Sequence, residues 1–102
     1  MNAIIYQSSI RRKVVLTRER KRHIFDFHPD LKPYFRKISE ILKKPDEIRR
    51  TLEDKNVLIF YKFYDKILNG KYIAIVIKIN KRNFILTSYL TDKIKTGKKY
   101  EK

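Results

Sequence analysis

The sequence contains no cysteine, which excludes disulfide staples, thiolate zinc sites and cysteine nucleophiles and leaves the redox compartment unreadable. Glycine and proline are scarce, at 2 and 3 residues, so little of the chain reads as linker. There are only 2 histidines, which argues against a zinc site, and no metal or cofactor is expected. No apolar run approaches the ~18–20 residues of a membrane span, and nothing resembles a signal peptide. The expected setting is therefore the cytoplasm, or a target cell into which a toxin is delivered, and no membrane partner. A Gly-rich phosphate loop, a serine triad and a paired-carboxylate cluster are also missing.

Acidic residues are few as well: 11 Asp and Glu stand against 26 Lys and Arg, a net charge of +15 over 102 residues. That excess goes far beyond what solubility needs. It favours a polyanionic partner, with nucleic acid first and an anionic membrane surface or an acidic protein second. A lysine-rich surface from a compositionally biased or heat-adapted source would carry the same charge. The 42% hydrophobic and 13% aromatic content argues for a folded core. The length fits one domain spanning residues 1–102, with 1–12 and 96–102 as its looser ends.

Three strand-like runs organise the chain: Val57–Tyr64, Tyr72–Ile79 and Phe84–Thr91. The polar link Asn80-Lys81-Arg82-Asn83 makes the last two a hairpin. Pairing Ile79 with Phe84 puts Ile73, Ile75, Ile77, Ile79, Phe84, Leu86, Ser88 and Leu90 on one buried face. The other face then carries Tyr72, Ala74, Val76, Lys78, Ile85, Thr87, Tyr89 and Thr91, a mix suited to a site. Tyr61 and Lys62 have opposite parity, so only one of them faces it. Ala3–Tyr6 and Lys13–Leu16 are two short β-prone pieces. Asp46–Leu52 reads as a short strand or a turn of helix.

Two helices precede the long strands. Thr17 is a plausible N-cap for a basic helix from Arg18 to Phe27, which Pro29 terminates. Asp30 is a cap candidate for a second helix from Leu31 to Lys43. Leu31, Tyr34, Phe35, Ile38, Ile41 and Leu42 form its apolar stripe, a natural cover for the isoleucine face. The element order suggests an α+β domain, with helices grouped at the start and then an antiparallel sheet.

His23 and His28 are about 140° apart on an uninterrupted helix, but the break before Pro29 lets both turn into one cleft. Histidine titrates near neutral pH, so a pair suits general acid–base work. RNA cleavage through its own 2′-OH needs a base, an acid and a cation to steady the phosphate. Lys78 is the candidate cation. Thr87 and Tyr89 are candidate hydroxyl donors, and Tyr89 is also a stacking surface. Against this stand idle, solvated histidines, a lysine at a strand end and ordinary β-formers.

Several blocks occur in a recognisable order. They are His23-Ile24-x3-His28-Pro29, Pro45-Asp46-Glu47-Ile48, and Asn56-Val57-x2-Phe60-Tyr61-Lys62. Lys71-Tyr72-x3-Val76-Ile77-Lys78 and Thr87-x-Tyr89-x-Thr91-x2-Ile94-Lys95-x-Gly97 follow. Together they span Val14 to Tyr100 and resemble the small phage- and mobile-element-associated nucleases of the barnase–EndoU–colicin–RelE group. The resemblance implies N-terminal helices packed on one face of a four- or five-stranded antiparallel sheet, and metal-independent ribonuclease chemistry in a toxin or effector acting on transfer or messenger RNA. It implies catalytic roles for His23, His28, Lys78, Thr87 and Tyr89, with His23 leading. Arg18, Arg20, Arg22, Tyr61, Lys62, Thr91 and Lys95 are expected to hold the substrate. Phe27 departs from the basic residue expected before the second histidine. The rival expectation is a non-catalytic RNA- or DNA-binding module, and a third is a toxin held by an acidic antitoxin or immunity protein.

Overall fold

The computed structural model describes residues 3–94 and 98–99. Lys95 and most of the C-terminal stretch expected to be loose lie outside the described residues. The elements run β1 (Ala3–Gln7), β2 (Lys13–Thr17), α1 (Arg18–Phe27), a 3-10 helix (Pro29–Tyr34), α2 (Lys37–Lys43), β3 (Glu47–Arg50), β4 (Val57–Tyr64), β5 (Lys71–Lys78), β6 (Asn83–Thr91) and β7 (Lys98–Lys99). No helix among the described residues is long and apolar enough to cross a membrane.

The fold is α+β, but the sheet is larger than expected and mixed. Six strands between Ala3 and Thr91 lie in the order β1-β2-β6-β5-β4-β3, and β7 adds outside β3. The β1–β2 hairpin is what enlarges it. β2 and β6 run parallel, through Val14–Asn83 and Val15–Phe84, while the other pairs are antiparallel. Parallel neighbours need a long connection. Here the whole run from α1 to β5 supplies it.

The β5–β6 register also differs from expectation. Lys78 pairs with Phe84 and Ile77 with Ile85, while Val76 pairs with Thr87. Leu86 is thus the extra residue of a β-bulge, and a bulge resets side-chain parity. Ile85 therefore joins the helix-side core and is fully buried, while Phe84 moves to the opposite face. Beyond the bulge, Thr87, Tyr89 and Thr91 keep their expected side.

The helix side of the sheet holds the main core: Leu58 and Phe60 of β4, Ile73, Ile75 and Ile77 of β5, and Ile24, Leu31, Ile38, Ile41 and Leu42 from the helices. Each fully buried aliphatic or aromatic side chain contributes roughly 1.5–3 kcal/mol. Tyr64 of β4 donates to Glu40 of α2, and Lys37 of α2 sits 4.6 Å from the Tyr64 ring, so α2 is also tied down by polar contacts.

The Thr17 hydroxyl caps α1 as expected, accepting from the Arg20 amide at 3.2 Å. The expected helix from Leu31 to Lys43 is divided. Pro33 lacks an amide donor and disfavours α geometry in the residue before it, and the chain forms a 3-10 turn before α2 begins at Lys37. The apolar stripe still points inward.

One consequence positions the candidate site. β2 pairs with β6 over two residues only, then the chain turns into α1 at Arg18. β6 from Leu86 to Thr91 thus has no strand on that side among the described residues. α1 and the 3-10 helix pack against β6 instead.

Candidate functional site

The second face of the sheet has a small core of its own. Ile59 and Tyr61 of β4 and Ala74 of β5 are buried there, with Tyr72, Val76, Tyr89 and Ile94 packed around them. The face expected to suit a site is therefore filled at its centre. Of the two residues whose parity was open, Tyr61 belongs here and Lys62 does not. Lys62 donates to the Lys44 carbonyl at 2.9 Å and pairs with Asp46 at 3.6 Å, on the helix side of the strand.

His28 reaches the margin of this face. It caps the C-terminus of α1, its amide donating to the Ile24 carbonyl at 2.7 Å. Its ring lies 5.8 Å from that of Tyr89, tilted by 40°. Burial pushes the Tyr89 hydroxyl up to about 12, helped by the neighbouring Tyr61 phenol and a hydrogen bond between the two. Tyr89 therefore stays protonated across the neutral range and remains a donor. His28, Tyr89 and Tyr61 form one contiguous group.

His23 sits on a different part of α1. Its ring packs on Phe27 at 4.7 Å, one turn on, and Phe27 is 69% exposed. At 100° per residue, Arg20, His23 and Phe27 share the flank opposite Phe25. Phe25 turns toward Phe35, with ring centroids 5.2 Å apart. His23 and His28 thus have separate ring partners.

Lys78 lies on the second face but not with this group. It is four residues along β5 from Ala74, the partner of Tyr89, or roughly 13 Å at about 3.3 Å per residue. It forms an ion pair with Asp54, which holds the Asp54 carboxyl below its ordinary range through their hydrogen bond. Thr87, opposite Val76, has a buried hydroxyl with no hydrogen-bond partner. Thr91 donates to the Lys93 carbonyl at 3.2 Å.

The recorded ion pairs, Glu47–Arg49, Asp46–Lys62, Asp92–Lys71 and Asp54–Lys78, all belong to the sheet and its loops. Among the described residues, Arg18, Arg20, Lys21 and Arg22 of α1 make no ion pair. Arg18 and Arg22 line a groove of about 630 Å³ with Ala3, Thr17 and Glu19. Lys21 lies 5.0 Å from the Phe35 ring and Lys32 lies 5.4 Å from the Phe25 ring.

Neither a protein-family model, nor a curated protein, nor a solved structure matches this chain. The site is thus described by its own geometry. No cluster of three or more His, Asp or Glu suited to a metal ion occurs among the described residues.

Sequence reasoning placed Tyr72 on this face but missed Phe63 and the contact between them. The rings of Phe63 and Tyr72 are 5.1 Å apart, and those of Tyr72 and Tyr61 are 6.2 Å apart. The only available signal was the i, i+2 spacing of Tyr61 and Phe63. It could not be used while the parity of β4 was open.

Proposed function

We propose that the chain is a metal-independent RNA endonuclease whose site lies where α1 meets the second face of the sheet. The observation that carries this reading is the His28–Tyr89–Tyr61 group, 5.8 Å between the first two rings, beside a helix of unpaired cations. His28 takes the proton from the ribose 2′-OH. The 2′-oxygen attacks phosphorus, the bond to the 5′-oxygen breaks, and the departing oxygen receives a proton. The products are a 2′,3′-cyclic phosphate and a 5′-hydroxyl. Protonated Tyr89 donates to a phosphate oxygen as charge builds there. The α1 cations hold the flanking phosphates, since unpaired arginines are free to make charge-assisted bonds. His23, on the flank of the same helix, is the candidate acid.

This assignment moves the leading role from His23 to His28. It also takes the phosphate-steadying role from Lys78, which Asp54 engages. That same pairing favours a second reading: a non-catalytic RNA-binding module using α1 alone. Either version accommodates an acidic protein partner on the basic helix, and transfer and messenger RNA remain the substrate classes of interest.

The test is incubation of total RNA with the protein in EDTA, followed by analysis of product ends. Discrete fragments with 2′,3′-cyclic phosphates are expected. Cleavage by His28→Ala should fall about 100-fold or more while RNA binding persists. Inhibition by EDTA, or unchanged cleavage by His28→Ala, overturns the mechanism. Binding without cleavage by the wild type selects the binding module.

A further inference from the structure

The aromatic contacts on the second face do not stop at the group assigned to chemistry. From His28 and Tyr89 they continue through Tyr61 to Tyr72 and end on Phe63, two strands away from β6. Two strand spacings amount to roughly 10 Å. Phe63 is an aromatic ring left 45% exposed at the end of this line.

Its position is held from three sides. The Phe63 amide donates to an Asp46 carboxylate oxygen at 2.7 Å, which fixes the backbone. Tyr72, its cross-strand partner, meets the ring edge-on at 66°. Gly70 lies under the ring: a Cβ there would approach Phe63 Cζ to 2.9 Å. Gly70 also has φ +110°, a left-handed conformation natural to glycine. The β4–β5 loop therefore accommodates the ring where a side chain would displace it. A held, part-exposed ring loses little freedom when something stacks on it.

We infer that Phe63, backed by Tyr72, is a stacking subsite for an unpaired nucleobase of a single-stranded RNA. The inference rests on the RNA reading above and adds where a base beyond the scissile phosphate goes. The occupant follows from charge and shape together. A chain of net charge +15 attracts a polyanion, and an open aromatic ring offers a flat apolar surface. Single-stranded RNA has both features, and base–aromatic stacking is indifferent to sequence. A duplex keeps its bases stacked internally and would bypass Phe63.

The chain contains no tryptophan, so Phe63→Trp places a single indole reporter at the subsite. The probes are a 2′-O-methyl oligoadenylate, which cannot undergo 2′-OH attack, and an abasic strand of equal length and charge. The oligoadenylate should quench Phe63→Trp and the abasic strand should not. Phe63→Leu should bind the oligoadenylate about tenfold more weakly than wild type, the loss of one stack, and the abasic strand equally well. Absence of quenching while wild type binds the oligoadenylate overturns the subsite and leaves the RNA reading standing. Equal oligoadenylate binding by Phe63→Leu does the same. If wild type binds neither strand, both inferences fall. Should Phe63→Leu fail to fold, the quenching experiment decides alone.

Discussion

On the helix side of the sheet, Leu58, Phe60, Ile73, Ile75 and Ile77 lose all contact with solvent beneath three helical segments. On the other side Ile59, Tyr61 and Ala74 are buried, rimmed by Tyr72 and Tyr89, and no helical residue belongs to that cluster among the described residues. The same strands build both faces, since successive side chains alternate across a sheet. The first face is aliphatic and has few polar groups to satisfy. The second is made of rings with hydroxyls, meeting a histidine at one margin and an exposed phenylalanine at the other. Stability is thus concentrated on one face, and the second has room for polar chemistry. The ion pairs follow a similar division: Arg49, Lys62, Lys71 and Lys78 of the sheet hold carboxylates, while α1 cations hold none among the described residues.

The sharpest way to break this comparison is to damage the first face. Phe60→Ala should destabilise the protein by about 3–5 kcal/mol in denaturant unfolding, a large share of a typical domain's 5–15 kcal/mol. The fraction that remains folded should still bind RNA normally. Full stability in this variant would mean that the helix-side core is not the main support.

A smaller effect is expected on the second face. Tyr61→Phe keeps the ring but removes the hydroxyl that shares a hydrogen bond with Tyr89. The cost should be about 1 kcal/mol. The variant also bears on alkaline stability. Tyr89 has a folded-state value near 12, above its ordinary value of 10.0. The folded state therefore holds that proton more tightly. The stability it contributes is fully present below pH 10 and is lost as pH rises toward 12. Burial is the leading cause of the shift, with Tyr61 second, so in Tyr61→Phe the loss should still begin near pH 10 but be smaller and end at lower pH. Tyrosinate absorbance followed alongside unfolding checks this. An unchanged alkaline profile would uncouple the two phenols.

Much of the helix-side face was legible in the sequence, and the reason is physical. Thr17 and Pro29 bracket α1 with local signals that tertiary contacts did not override. Leu31, Ile38, Ile41 and Leu42 are buried as their spacing predicts, although Pro33 divides the helix they were assigned to. The second face was less legible. Val57–Tyr64 is apolar at both parities, so nothing local says that Tyr61 turns one way and Lys62 the other. Phe84 and Ile85 are both apolar, so the bulge at Leu86 leaves no trace in the pattern. The His28–Tyr89 contact depends on β2 leaving β6 after Phe84, a long-range event that spacing within α1 cannot encode. The pairing of Asp54 with Lys78 joins residues 24 apart in sequence and was equally hidden.

The division between a structural face and a functional face is tested most directly by mapping where RNA touches the folded protein. Backbone amide resonances would be followed while an uncleavable 2′-O-methyl RNA is added to the wild type. The account predicts that shifts concentrate on α1, His28, Tyr61, Phe63, Tyr72, Thr87 and Tyr89, with α2 and the helix-side positions of β4 and β5 unmoved. Shifts centred on α2 or on the β1 edge, with Tyr61, Tyr72 and Tyr89 unmoved, would contradict it.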